Sequence, residues 1–301
     1  QGISRIQESG RMAVEFLSQD IRMAGFMGCS SQNLELTNGL AAPVGNFFYN
    51  FQEGIRGFTD ANLPADADPG IDVKSPSDVL VVRGANAVNL PIVGQAGGTA
   101  NFRVGAVAVG DCLANGTLCD QDIAIISDCV KGRIFQVTNL QDVDGADETL
   151  IVHAVAGGLD PGNNDPQLGN QQFDSGAQVM SASTTTYFVA PSSFNNEVNS
   201  LWQRQGNNPP VELVEGIEDM RITYGEDTDG DLVPDDYRTE DNVLDWQAVG
   251  AVRVSLLLQS LEGNILTEPQ PFEFDGDAVD VSDRRIRQVF TTTIGIRNRL
   301  P

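Results

Sequence analysis

Apolar residues in the first 27 positions recur largely in steps of three and four, and then that spacing stops. Ile3, Ile6, Met12, Val14, Phe16, Leu17, Ile21, Met23 and Phe26 carry it, while Arg5, Glu8, Arg11, Glu15, Gln19 and Arg22 fill the opposite face. The spacing predicts one amphipathic helix over residues 3–27, closed by Gly25 and Gly28. From residue 30 helical periodicity is lost. Residues 30–75 are rich in Gly, Asn and Pro with scattered aromatics (Phe47, Phe48, Tyr49, Phe51, Phe58), which predicts a long irregular loop or one holding a short helix. Strand-like runs follow at 78–85, 121–129, 133–140 and 148–155. After a Gly/Asn/Asp/Pro-rich link near 157–170 come further runs at 177–190, 200–206, 211–225, 249–260 and 287–298. One helix ahead of many short strands is an α+β pattern, not an alternating one.

Charge narrows the partners. With 18 basic and 42 acidic residues the net charge is −24, a surface that a nucleic-acid backbone or an anionic membrane repels. No run of about 18 apolar residues is present, so these residues contain no helical membrane span. The chain opens inside its helical pattern, without an initiating Met, and reads as the trimmed remainder of a longer one.

Four cysteines, Cys29, Cys112, Cys119 and Cys129, show no CxxC spacing, and His153 is the single histidine. A zinc site is therefore disfavoured and disulfides are expected, with an oxidising compartment. Cys112–Cys119 would close the local Asn115-Gly116 turn, and Cys29–Cys129 would tie the helix end to the 121–129 strand.

The densest charge lies in GEDTDGDLVPDDY, residues 225–237. Asp227, Asp229 and Asp231 stand at positions 1, 3 and 5 of a calcium-type loop, the Val233 carbonyl at 7 and Asp235 at 9, with Asp236 and Glu240 close by. Calcium takes oxygen ligands, and alternate carboxylates in a loop can converge on one ion. The match is partial: Leu232 stands where the turn glycine belongs, with Gly230 earlier, and Arg238 occupies position 12. Either the loop holds calcium or it is a solvated hairpin tip. The acidic stretches 142–148 and 275–283 read as solvated turns.

Catalytic signatures do not appear. There is no GxSxG, GxxxxGK[ST] or HExxH, and His153 in TLIVHAV alternates with apolar neighbours as a structural residue. Trp202 and Trp246 read as core or sheet-face aromatics. Arg284, Arg285, Arg287, Arg297 and Arg299 form the one basic concentration. They either pair with local aspartates such as Asp280 and Asp283 or form a dock for an acidic partner.

Four stretches in order, SGRMAVEFLSQDIRMAGFMGC (9–29), ELVEGIEDMRITYGEDTDGD (212–231), WQAVGAVRVSLLLQS (246–260) and DRRIRQVFTTTIGIRNRL (283–300), resemble the PilW family of type IV pilus minor pilins. The order is shared more loosely with the J-type minor pseudopilins of type II secretion; residues 35–110 match poorly. The resemblance implies a pilin-like α+β fold, a single ectodomain over 1–301. Residues 1–28 would be the second half of the pilin helix laid on an antiparallel sheet, 30–170 a variable region with large loop and strand insertions, and 171–301 the family-like sheet. It implies a preceding apolar helical half that anchors the subunit in the inner membrane.

By resemblance the protein is no enzyme but a Gram-negative minor pilin, held at the inner membrane and periplasm and then extracellular at the pilus tip. It would co-assemble with other minor pilins into a priming complex for the major pilin, which may carry a large tip adhesin; adhesion and twitching motility follow from the filament. The alternatives are a calcium-dependent adhesin domain and a type II secretion pseudopilin.

Overall fold

Helix α1 runs from Gly2 to Arg22 and buries Ile6, Gly10, Ala13, Leu17, Ser18 and Ile21. These positions share one stripe at three- and four-residue steps, and each fully buried Leu or Ile contributes about 1.5–3 kcal/mol. The helix stops at Arg22 rather than 27. Met23 and Ala24 donate to the Asp20 and Ile21 carbonyls at 3.0 and 3.1 Å, tightening the last turn, and Gly25 then takes φ of 70°.

The structure is a computed structural model describing residues 2–28, 34–41, 47–86, 90–95, 101–155, 158–166, 171–173, 176–279 and 282–299. Strands dominate it, and α1 is the one α-helix among the described residues. The α+β expectation therefore holds only for the N-terminal helix on its sheet; the remainder is β.

Two compact units divide the chain: residues 1–24, 55–82 and 185–301 form the first, and residues 25–54 and 83–184 the second. In the first unit a four-stranded antiparallel sheet has the order Asp236–Arg238, Ile217–Glu226, Val249–Gln259, Arg287–Gly295. Val249–Gln259 is central and buried along nearly its whole length, as its continuous apolar run predicts. Arg287–Gly295 alternates exposed and covered positions, as expected of a half-exposed strand. Helix α1 lies against this sheet. Gly10 is required there, because a Cβ would stand 2.7 Å from the Phe290 ring.

The same unit holds Ile55–Thr59 antiparallel to residues 78–82, and residues 185–191 antiparallel to Asn199–Gln205, which pairs in turn with Val211–Glu215. One core joins the helix stripe to Leu80, Tyr187, Leu201, Ile222, Val252 and Leu256. Trp246 belongs to it, edge-on to Tyr224 at 4.7 Å, and Trp202 packs with Val79 and Phe188, so both tryptophans are core residues.

The stretch 211–225, expected as one strand, is two. Gly216 adopts φ of 89°, and a side chain there would meet the Gln259 carbonyl at 3.0 Å, so the chain turns from one sheet into another.

The second unit is built on Ile123–Ser127, which pairs antiparallel with Lys131–Gln136 on one side and residues 178–181 on the other. Glu35–Asn38 adds to Lys131–Gln136 in parallel, a strand that the loop-like composition of 30–75 conceals. Leu90–Gln95, Phe102–Val104, Thr149–Val152 and Asn139–Asp142 continue as an antiparallel series. His153 is fully buried, stacked on Phe102 at 5.0 Å and edge-on to Phe135 at 5.6 Å.

Candidate functional site

Five backbone and hydroxyl donors answer the charge crowding in the acidic loop. Asp227 accepts from Gly230 N–H at 2.7 Å and Leu232 N–H at 2.9 Å. Asp229 accepts from Asp231 N–H at 3.2 Å, and Asp235 from the Thr228 N–H and hydroxyl, both at 2.7 Å. The Thr228 bonds hold the Asp235 carboxyl below its ordinary range. At the loop's base Asp227 N–H donates to Ala248 and Asp235 N–H to Glu226, so the hairpin between Ile217–Glu226 and Asp236–Arg238 is pinned at both ends. The loop thereby brings carboxylate oxygens of Asp227, Asp229 and Asp235 within 4.8 Å of one another. Such hard oxygen donors suit calcium, with carbonyls and water completing a shell of six to eight.

The other predicted ligands are disposed differently. Asp231 turns to Val233 N–H at 2.8 Å, and Asp236 pairs with Arg238 at 3.3 Å; neither belongs to the three-carboxylate group. Arg238 also pairs with the buried Glu226 at 3.3 Å. Glu226, which sequence reasoning passed over, accepts from the backbone N–H groups of Leu244 at 3.1 Å and Asp245 at 2.6 Å. Leu232, standing where the turn glycine was missed, has φ of 70°: the backbone makes the left-handed turn without the residue suited to it, at about 1–2 kcal/mol.

Cys112 and Cys119 form the expected disulfide around the Asn115-Gly116 turn, where Gly116 has φ of 69°. Cys129 is disulfide-bonded as well; its expected partner Cys29 lies outside the described residues, as does Asp280.

A second feature lies on α1. Met12 and Phe16, one turn apart, are 44 % and 37 % exposed on the face turned away from the buried stripe. Beside Met12 a groove of about 230 Å³ runs between α1 and Leu213, Glu215 and Leu261. No helix among the described residues is long and apolar enough to cross a membrane.

Comparison with known proteins bears on the part of the chain that covers this helix. Residues 186–298 match the PilW family, type IV pilus-assembly protein W. A type IV-like pilin from Thermus thermophilus is similar in structure, with 9 % identity, 99 % of this chain and 98 % of that chain covered, and a TM-score of 0.37. No curated protein matches the chain.

The PilW-matching region contains the acidic loop and most of the arginine cluster, whose members divide. Arg287 is clamped by Glu218 at 2.7 and 3.1 Å and by Asp283 at 2.7 and 3.0 Å. Burial opposes its charge, but these bonds outweigh burial and raise its pKa. Arg285 bonds Glu197 at 3.0 Å and the Ser260 carbonyl at 2.8 Å. Arg299 serves the Trp246 and Val249 carbonyls. Local pairing thus accounts for Arg285 and Arg287. Among the described residues the Arg284 guanidinium bonds only Asn264, and Arg297 is exposed.

Proposed function

We propose that this protein is a minor pilin that joins other minor pilins in a tip complex, primes polymerisation of the major pilin, and presents a large adhesin. The observation that carries the reading is the PilW match over residues 186–298, which falls in the compact unit that also holds α1. A helix with one stripe on its own sheet and an exposed Met12–Phe16 pair on the other face suits a subunit that offers that second face to neighbouring helices. The function is complementarity of surfaces, not catalysis. On this reading the chain is a single pilin-like ectodomain, resident in the bacterial envelope before assembly and extracellular at the filament tip afterwards. Calcium in the 227–235 loop would tie its carboxylates together and rigidify the hairpin, which supports a role in stability rather than in capture of a ligand.

Deletion of the gene tests the assignment. Loss of all surface pili, restored by the full-length gene and not by one carrying Met12→Glu and Phe16→Glu, is the expected result. Normal pili that fail to attach would replace it with the adhesin reading. A secretion defect with pili intact would replace it with the pseudopilin reading.

A further inference from the structure

The four-stranded sheet ends in a strand whose outer edge pairs with no other strand among the described residues. Arg287–Gly295 pairs with Val249–Gln259 in unbroken register over nine residues, and among the described residues no strand pairs with its other edge. Two flanking bonds fix which way its backbone points. Ile296 N–H donates to the Gly250 carbonyl and Ser260 N–H to the Ile286 carbonyl, both at 2.9 Å, so even-numbered residues direct their N–H and C=O groups inward. Val289, Thr291, Thr293 and Gly295 therefore direct theirs outward.

Free edges are ordinarily blunted by shortness, charge, proline or a bulge. The opposite edge of this sheet, Asp236–Arg238, has three residues, two of them charged. The Val211–Glu215 edge follows Pro209-Pro210 and carries Glu212, which is engaged by Ser193 and Ser200. Residues 288–295, QVFTTTIG, have none of these devices, and Val289 is 37 % exposed.

The charge around this edge is also unlike the rest of the molecule. Residues 284–299 contain five arginines and no acid in a chain of net charge −24. Three cations near the strand have no carboxylate partner among the described residues. Arg284 precedes the strand, Arg297 follows it, and Arg253 reaches Thr293 Oγ1 at 3.3 Å while lying over the Tyr237 ring at 4.0 Å.

We propose that the Arg287–Gly295 edge is a strand-addition site for an extended, acid-bearing segment of another protein chain. Outward N–H and C=O groups at 289, 291, 293 and 295 supply the ladder, and Arg253, Arg284 and Arg297 select the charge. This rests on sheet geometry and charge, independently of the pilus reading.

Amide hydrogen exchange followed by NMR on the whole chain tests it. The probes are a capped heptapeptide of alternating Thr and Val with Glu at both ends, and its counterpart with Lys at both ends. The Glu-ended peptide should slow exchange at Val289, Thr291, Thr293 and Gly295 at least tenfold, and the Lys-ended peptide should bind at least tenfold more weakly. Thr291→Pro removes one outward donor and no backbone bond to Val249–Gln259, losing there only the exposed hydroxyl contact of Thr291 with Ser255 at 3.0 Å, so it should abolish the protection while the remaining amides exchange as before. If that variant does not fold, the exposed double variant Arg253→Glu/Arg297→Glu should lose the preference between the peptides. No protection from either peptide at millimolar concentration, or equal protection in Thr291→Pro, would overturn the site. Equal response to both peptides would overturn its charge selection. Protection already present in concentrated, peptide-free protein, together with dimers in sedimentation, would instead make the occupant a second copy.

Discussion

Replacing Asp78 with Asn should stabilise the protein at neutral pH and change nothing at pH 4. Asp78 opens the strand Asp78–Ala85, is 8 % exposed, and accepts the Ile222 N–H at 2.6 Å. Burial pushes its carboxyl from 3.8 to about 7. The Ile222 bond and Arg221 oppose that rise, and Glu240 and Asp219 add to it. Because the folded pKa lies above the unfolded one, the native state holds the proton more tightly. Its contribution is fully present below about pH 4 and is lost as pH rises to about 7. At about 1.4 kcal/mol per pKa unit the loss over this rise comes to roughly 4 kcal/mol or slightly more. Asn keeps an oxygen for Ile222 and cannot ionise. The difference between variant and parent should therefore grow from near zero at pH 4 to about 4 kcal/mol at pH 8, or about 8–16 °C in Tm for a body of this size. Urea unfolding followed by fluorescence of the buried Trp202 and Trp246 at each pH gives the comparison. A difference that does not vary with pH, or a variant less stable than the parent at pH 8, would refute the reasoning.

Two further outcomes are expected. Calcium at a hundred times its Kd should raise stability by about 2.7 kcal/mol over chelated protein; Asp229→Ala should remove the shift, and calorimetry with no shift in the parent would retire the site. Gly10→Ala sets a methyl against Phe290, so it should cost about 1–3 kcal/mol despite the better helix former, as read by urea denaturation.

Those features were legible in the sequence that depend on spacing alone. The helix stripe from Ile6 to Ile21, the central strand at 249–259 and the alternation at 289–295 each announce their burial through periodicity, and the structure follows them. The break at Gly216 was hidden because the apolar and acidic residues on either side continue as if nothing intervened; only the Gln259 carbonyl behind it makes the turn necessary. Strand Ile55–Thr59 has five residues and a glycine, too few for a pattern. In the acidic loop the convergence of Asp227, Asp229 and Asp235 follows the alternation, but Asp231 was captured by Val233 N–H. Glu226 looks like one more acid until the backbones of Leu244 and Asp245 close on it. Arg284 and Arg287 are alike by sequence; Glu218, 69 residues from Arg287, tells them apart.

Arg287–Gly295, the last strand among the described residues, completes the cover of α1, with Phe290 seated against Gly10. During synthesis the greasy side of α1 emerges long before Arg287–Gly295 and must wait for that strand before its lid exists. Closing so large a loop makes late, slow maturation the natural course, and a chain truncated before residue 287 should be a sticky product prone to clumping or proteolysis.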